Sequence, residues 1–286
     1  MNTKLTAGIV ILCICFGIGT WSIVTMPKSG RTILHLPYLF IRPTERPTPT
    51  PTARPVLVQP VRVPILMYHY VEIVKDPKDT IREGLDILPK TMDAQIATFL
   101  SHGYTPIFMS DLAAYLDGKG TLPDKPIVFT FDDGYRDFYT DAYPILQKYH
   151  VKATSYVVPG FLDKPNYMTK QEVMDIASSG LVEVAAHTVH HVSLKGISPQ
   201  LLHAEIYGSK TQLEHLIGKP VIDFAYPYGS YDSAAVIAVS AAGFRTATTT
   251  RPGIIQSPDY RFTLLRLRPG ARTGTYLISW LESIKK

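Results

Sequence analysis

Short runs rich in β-branched and aromatic residues alternate with amphipathic stretches from residue 61 to the end of the chain. A strand followed by a helix recurs about seven times, which predicts an α/β architecture with a parallel sheet. The predicted strands are Ile65–Val71, Tyr104–Ile107, Ile127–Phe131, Ala153–Val158, Val182–Ala186, Val221–Tyr226, Arg245–Thr248 and Thr263–Leu267. The predicted helices are Thr91–His102, Asp137–Tyr149, Lys170–Ser178, Pro199–Ile217, Ser233–Ala242 and Thr275–Ile284. For this length, a closed or distorted (β/α) barrel fits better than a doubly wound sheet.

A different pattern precedes this region. Between Lys4 and Lys28 lie 23 consecutive uncharged residues, most of them apolar, and about 20 such residues suffice for a membrane-spanning helix. We therefore predict an uncleaved signal-anchor over residues 1–27, with a cleaved signal peptide as the alternative. Residues 28–62 are predicted to form a Pro/Thr-rich linker, because closely spaced prolines favour extended polyproline II. The globular domain is predicted over residues 63–286, outside the cytoplasm at the cell membrane, or secreted after cleavage.

The net charge of +5 comes from the first part of the chain. Residues 1–60 contain six basic residues and one acidic residue, and the remaining 226 residues contain 23 of each. A nucleic-acid-binding domain normally carries a basic excess on its folded part, so that class of partner is disfavoured. Both cysteines, Cys13 and Cys15, lie in the first apolar run. The globular region therefore has neither a disulfide nor a thiolate metal site.

Carboxylates and imidazoles follow two predicted strands at the points where those strands end. Asp132 and Asp133 come directly after one strand, and His187 and His191 follow another at the i, i+4 spacing of a helical turn. Each motif alone also fits a solvated turn or a polar loop. In a β/α barrel, however, the carboxyl ends of the strands share one rim. Two imidazoles and one carboxylate that leave a position for water are typical of a catalytic zinc site, with the second carboxylate taking a proton.

Three segments at these strand ends resemble the motifs of a known family. Thr130–Gly134 (TFDDG) resembles the TFDDG motif of the polysaccharide deacetylases, which form carbohydrate esterase family 4. His187–His191 (HTVHH) is similar to that family's H-[ST]-x-x-H motif, and Phe224–Gly229 (FAYPYG) to its third motif. The resemblance covers nearly all of residues 61–286. It implies a deformed (β/α)7 barrel and metal-dependent removal of N-acetyl or O-acetyl groups from a polysaccharide.

The resemblance also implies roles for individual residues. It makes Asp132 the general base, and it makes Asp133, His187 and His191 the ligands of a divalent cation. The expected cation is zinc, with cobalt, nickel or iron as alternatives. The backbone N–H of Tyr228 would help to stabilise the oxyanion of the tetrahedral intermediate.

Three features of the family are missing from this chain. Ala225 stands where the third motif usually has an arginine that braces the base, and the late Leu-x-His and Asp-x-x-Asp-Trp motifs have no match. Pro64–Val71 resembles the start of the poly-N-acetylglucosamine deacetylases, a subgroup in which the acid histidine comes from the first strand. His69 is therefore the candidate general acid. Arg266 and Arg268 are the candidates for replacing the missing brace.

These patterns predict a membrane-tethered, metal-dependent deacetylase that acts on an extracytoplasmic N-acetylated glycan such as peptidoglycan or poly-N-acetylglucosamine. Because the usual brace and acid are missing, a non-catalytic glycan-binding module that keeps the fold stays a second hypothesis. A metal hydrolase acting on small amides or phosphate esters is a third. Tyr135, Tyr226 and Tyr228 are candidates for stacking on sugar rings. Thr188 either supports the histidine loop or is a surface hydroxyl.

Overall fold

The computed structural model describes residues 58–74, 76 and 78–285. The predicted signal-anchor and residues 28–57 of the predicted linker lie outside the described residues. Among the helices that are described, none is both long enough and apolar enough to cross a membrane.

The described chain alternates strands and helices in the predicted manner. The strands are β1 (Val61–Arg62), β2 (Ile65–Tyr68), β3 (Tyr70–Val71), β4 (Asp86–Ile87), β5 (Thr105–Pro106), β6 (Pro126–Phe131), β7 (Ala153–Val157), β8 (Val182–Ala186), β9 (Asp223–Ala225), β10 (Thr246–Pro252), β11 (Ile255–Gln256) and β12 (Leu264–Arg266). The helices are α1 (Thr80–Leu85), α2 (Pro89–Ser101), α3 (Met109–Leu116), α4 (Tyr143–Tyr149), α5 (Lys170–Ser178), α6 (Pro199–Ile217), α7 (Ser233–Ala241) and α8 (Gly274–Ser283).

Parallel strands in the order β12-β10-β9-β8-β7-β6-β2 form the central sheet, and β5 pairs with the start of β6. The residue after β12 joins the two edges: Leu267 N–H donates to the Ile65 carbonyl and the Leu267 carbonyl accepts from Met67 N–H, both at 2.8 Å. The pairing of β10 with β12 shifts register between Thr248 and Pro252. The seven strands thus form a nearly closed, irregular barrel, which agrees with the predicted deformed (β/α)7 architecture.

Burial explains why the strands could be recognised in the sequence. Every residue of β6 and of β7 is buried, because a parallel sheet covered by helices hides both of its faces. Such strands appear as continuous apolar runs instead of alternating ones. Each predicted strand and helix coincides with or overlaps an observed element of the same type.

Two local features differ from the sequence-based expectation. The predicted first strand is interrupted at His69, which separates β2 from β3. Helix α3 was not predicted, although Met109, Leu112, Ala113 and Leu116 are its buried residues and follow the i, i+3, i+4, i+7 spacing of a helix face. The first difference matters for function, because it places an imidazole at the strand-end rim of the barrel.

Candidate metal centre and active site

Three predicted ligands meet at the carboxyl ends of β6 and β8. Asp133 Oδ1 lies 3.3 Å from His187 Nε2 and 3.1 Å from His191 Nε2. One ligand atom from each residue lies within 4.8 Å of the other two. Asp133 and His187 are buried, so this cluster is largely shielded from solvent.

The backbone turns the two adjacent carboxylates apart. Asp133 has a φ of +74°, in the left-handed region that aspartate tolerates better than most residues. Its side chain faces the imidazoles, whereas the Asp132 side chain faces Arg266. His191 also has a positive φ, of +55°. Left-handed residues of this kind are concentrated at functional sites, where the surrounding structure holds them in place.

The donor atoms of the cluster fit a divalent cation. His187 Nδ1 lies 2.7 Å from the Ala225 carbonyl, which only accepts, so this nitrogen carries the proton and Nε2 keeps a free lone pair. Asp133 Oδ1 is buried without a hydrogen-bond partner among the described residues. Two ligands of a tetrahedral zinc ion, each about 2.1 Å from it, are about 3.4 Å apart. The observed separations of 3.1 and 3.3 Å match this spacing.

Tyr228 holds the more exposed of the two histidines. Its hydroxyl lies 3.1 Å from His191 Nδ1, and the two rings meet edge to face with centroids 4.6 Å apart. Such a partner on the second ring nitrogen orients a metal-binding imidazole. The sequence suggested a role for the backbone N–H of Tyr228, but it did not suggest this role for the side chain.

A buried glutamate that the sequence analysis missed shapes the histidine loop. Glu205 accepts hydrogen bonds from the backbone N–H groups of Val189 and His190, both at 2.9 Å, and pairs with the His190 ring at 2.7 Å. His190 therefore does not join the cluster. Thr188 is fully buried, which excludes the surface-hydroxyl alternative. The available signal for Glu205 was a carboxylate on the apolar face of α6.

Asp132 is clamped by a buried arginine. Arg266 Nη1 and Nη2 donate to the two Asp132 carboxylate oxygens at 2.6 and 2.7 Å, and Arg266 is 1% exposed. Its Nε donates to the Thr249 carbonyl at 2.8 Å. Burial alone would raise the pKa of Asp132, but the positive charge of Arg266 outweighs burial and lowers this pKa. Arg266, and not Arg268, thus takes the place of the missing brace.

His69 lies on another side of the same carboxylate. Its Nε2 is 3.7 Å from Asp132 Oδ2, and its side chain is 13% exposed. Burial lowers the pKa of His69, and the negative charge of Asp132 opposes this effect. The interruption between β2 and β3 therefore brings an imidazole next to the candidate base, where the sequence analysis expected the general acid.

Tyr156 forms part of the floor under Arg266 and was also missed. Its fully buried ring has its centroid 5.5 Å from Arg266 Cζ, and its hydroxyl donates to Asp223. Thr246 donates a second hydrogen bond to Asp223 at 2.7 Å, and burial raises the pKa of Asp223 to about 7. An aspartate within the otherwise apolar β9 was the signal that could have revealed this buried network.

The three tyrosines proposed to stack on sugar rings differ in exposure. Tyr228 is 68% exposed, and Tyr135 is partly exposed between Tyr70 and Tyr167, with ring centroids 3.9 and 5.1 Å away. Tyr226 is fully buried, so the prediction for this residue was wrong. Its side chain packs inside the core at the end of β9, where no sugar can reach it.

Replacing Arg266 with methionine should reduce the free energy of unfolding by about 3–5 kcal/mol, because it leaves the Asp132 carboxylate buried and unpaired. Urea unfolding of the full chain measures this loss. Adding Asp132→Asn to the Arg266→Met protein should recover part of the stability, since it removes the buried charge. The same substitution in the wild-type protein should be destabilising. Equal effects of Asp132→Asn in both backgrounds would contradict the pairing.

Comparisons with known proteins identify the family of this chain. A family model described as polysaccharide deacetylase matches residues 119–247. The crystal structure of BC0361, a polysaccharide deacetylase from Bacillus cereus, is 30% identical, with a TM-score of 0.66. The alignment covers 79% of this chain and 70% of that one. The chain belongs to the polysaccharide deacetylase family.

A further solved structure and a sequence relative share slightly less sequence identity with this chain. The Streptococcus pyogenes deacetylase PplD, solved in complex with acetate, is 27% identical, with a TM-score of 0.71 over 80% of this chain and all of that one. A poly-β-1,6-N-acetyl-D-glucosamine N-deacetylase from Staphylococcus aureus strain N315 is 26% identical over 166 residues. That alignment covers 54% of this chain and 57% of the relative.

Proposed function

We propose that this member of the polysaccharide deacetylase family hydrolyses N-acetyl groups on a polymer of N-acetylglucosamine, such as poly-N-acetylglucosamine or peptidoglycan, outside the cytoplasm. The observation that carries the proposal is that two adjacent carboxylates have different partners. Asp133 faces two imidazole nitrogens at 3.1 and 3.3 Å, whereas Asp132 is clamped by Arg266 beside His69. The name of the Staphylococcus aureus relative supports the choice of substrate.

Asp133, His187 and His191 would hold the cation, for which zinc is the expected identity and cobalt, nickel and iron are alternatives. When bound, such a cation polarises the acetyl carbonyl and makes water acidic enough to lose a proton near neutral pH. Asp132 is proposed to accept that proton. Its clamp by Arg266 keeps the carboxylate ionised and fixed in direction, as a general base requires.

His69 is proposed to protonate the departing amine. The water oxygen bonds to the acetyl carbon, the carbon–nitrogen bond breaks, and the nitrogen leaves as the amine with the proton from His69 while acetate forms. The imidazole lies 3.7 Å from the Asp132 carboxylate, so the proposed base and acid flank one reaction centre. The backbone N–H of Tyr228 is proposed to donate to the developing oxyanion.

The extracytoplasmic location is proposed from the sequence. The apolar run before residue 28 and the proline-rich linker after it are the arrangement expected of a domain tethered at a distance from a membrane. A polymeric cell-surface glycan is a substrate that such a tether would bring within reach.

The alternative of a non-catalytic glycan-binding module rested on two missing groups. Arg266 supplies a guanidinium to Asp132, and His69 supplies an imidazole beside it. Arg266 comes from β12 instead of the third motif, and His69 directly follows β2 instead of belonging to the late Leu-x-His motif. Their presence favours the enzymatic proposal.

Acetate release by the full chain tests the proposal. The purified protein, kept in detergent and supplied with zinc, should release acetate from oligomers of β-1,6-linked N-acetylglucosamine, measured with a coupled acetate assay. Oligomers in which the amines carry no acetyl group serve as the blank. Binding of the acetylated oligomers without acetate release, with zinc, cobalt, nickel or iron present, would favour the binding module.

His69→Ala should lower kcat for acetate release by about a hundredfold, because loss of a general acid typically costs 10²–10⁴-fold. Metal content, measured by elemental analysis, should stay unchanged, since His69 is not among the three clustered ligands. His215→Ala is the matched control, because His215 is an exposed histidine on α6. A His69→Ala protein that keeps full activity would eliminate this residue as the acid.

A further inference from the structure

A cavity of about 760 Å³ adjoins the proposed reaction centre. Arg266, the residue that clamps Asp132, is among the residues that line it. Another is Thr250, which touches the turn that carries Tyr228: a Cβ atom on Gly229 would lie only 2.1 Å from Thr250 Oγ1. The cavity is therefore one residue away from the candidate base, with Arg266 between them, and it lies close to the third-motif turn.

The same cavity also reaches the surroundings of the candidate acid. Met67 and Arg268 line it, and both also line a smaller cavity that contains His69. A chain of sugars with one acetyl group at the metal centre would therefore find this cavity next to the reacting sugar. Trp280 also lines the cavity, and the Arg272 guanidinium lies over its ring, 4.8 Å from the centroid.

The charge of the cavity is positive and incompletely matched. None of the aspartates or glutamates that the structure describes lines it. The charge of Arg266 is matched by its two hydrogen bonds to Asp132. Arg268 forms no ion pair or hydrogen bond within the described part of the chain, and it is exposed enough to meet a ligand. Lys285 also lines this cavity, but of the two only Arg268 also lines the smaller cavity that contains His69, so its guanidinium is the unmatched cation next to the proposed reaction centre.

We propose that this cavity binds the sugar adjacent to the one being deacetylated, and that Arg268 recognises a carboxylate on that adjacent sugar. The proposal rests on the deacetylase function proposed above and adds a preference for glycans that carry a carboxylate next to the reacting sugar. The planar guanidinium offers paired N–H donors that match the two oxygens of a carboxylate. A neutral sugar would leave this charge without a partner. Arg268 is thus a specificity residue and takes no part in proton transfer.

Binding of a matched pair of oligosaccharides tests this recognition without requiring turnover. The acidic probe is a hyaluronan hexasaccharide, in which glucuronate alternates with N-acetylglucosamine, and the neutral probe is the same hexasaccharide with its carboxyls reduced to primary alcohols. Calorimetry on the full chain with zinc should show about tenfold tighter binding of the acidic probe, the difference expected for one partly desolvated charge-assisted contact. In Arg268→Gln this preference should fall to about one.

Lys90→Gln is the control for net charge, because Lys90 is an exposed lysine that does not line the cavity. It should keep the tenfold preference. Equal binding of both probes by the wild-type protein, an unchanged preference in Arg268→Gln, or an equal loss of preference in Lys90→Gln would each overturn the proposal. A preference that depends on Arg268, in a protein that releases no acetate from any probe, would support this site and reject the deacetylase function.

Discussion

Asp132→Asn should lower kcat for acetate release by about 10³-fold, while the protein still binds its divalent cation. The reason is that asparagine keeps the shape of the side chain but cannot accept a proton, and a positioned general base contributes roughly 10²–10⁴-fold. The cation should stay, because the cluster that would hold it consists of Asp133, His187 and His191. Acetate assays and elemental analysis of the same preparation measure both quantities.

The neighbouring carboxylate provides the matched comparison. Asp133→Asn should lose the cation as well as the activity, since Asp133 Oδ1 is the oxygen that faces both imidazoles. Thermal unfolding of each variant separates a catalytic effect from a loss of fold, because Asp132→Asn also leaves Arg266 without its charged partner. Equal metal loss in the two variants, or full activity in Asp132→Asn, would show that the roles are assigned wrongly.

Removing the cation with a chelator should abolish acetate release and lower the thermal stability of the protein. A ligand that binds only the folded state adds about 2.7 kcal/mol of stability when its concentration is a hundred times its dissociation constant. The unfolding temperature should therefore rise again when zinc is added back. Differential scanning calorimetry measures this shift, which does not depend on any substrate.

Two histidines of the same loop make this measurement specific. His191→Ala should remove the zinc-dependent rise in unfolding temperature, because His191 Nε2 is one of the clustered nitrogens. His190→Ala should retain the rise, since the His190 ring pairs with Glu205 instead. A chain whose stability ignores zinc, or a His191→Ala variant that responds like the wild type, would contradict the proposed metal site.

The two arginines of the last strand show how far sequence reasoning could go. The sequence predicted that Arg266 or Arg268 replaces the missing brace, because both lie at the end of the last predicted strand. Two residues apart on a strand, their side chains point to the same side, so alternation could not choose between them. The structure distinguishes the two arginines by their burial. Arg266 is 1% exposed and clamps Asp132, whereas the more exposed Arg268 lines the neighbouring cavity without contacting Asp132 through a hydrogen bond.

The hidden supports of the site illustrate the opposite case. Glu205 holds the histidine loop and Tyr156 lies under Arg266, but neither belongs to a short motif. Each acts on a partner from another part of the chain, so no local pattern connects them. A carboxylate on the apolar face of a helix marks such a residue as unusual without identifying what it contacts.

The amino-acid sequence alone determined the succession of strands and helices and identified the side chains that cluster as candidate metal ligands. Hydrophobic periodicity and short contiguous motifs are local properties, and they survive without knowledge of the fold. Only the tertiary structure decided that Arg266 clamps Asp132, that Tyr226 is buried, and that a cavity lined by arginines adjoins the proposed reaction centre. Contacts between residues more than a hundred positions apart depend on strand order and burial depth, and both arise only when the barrel closes.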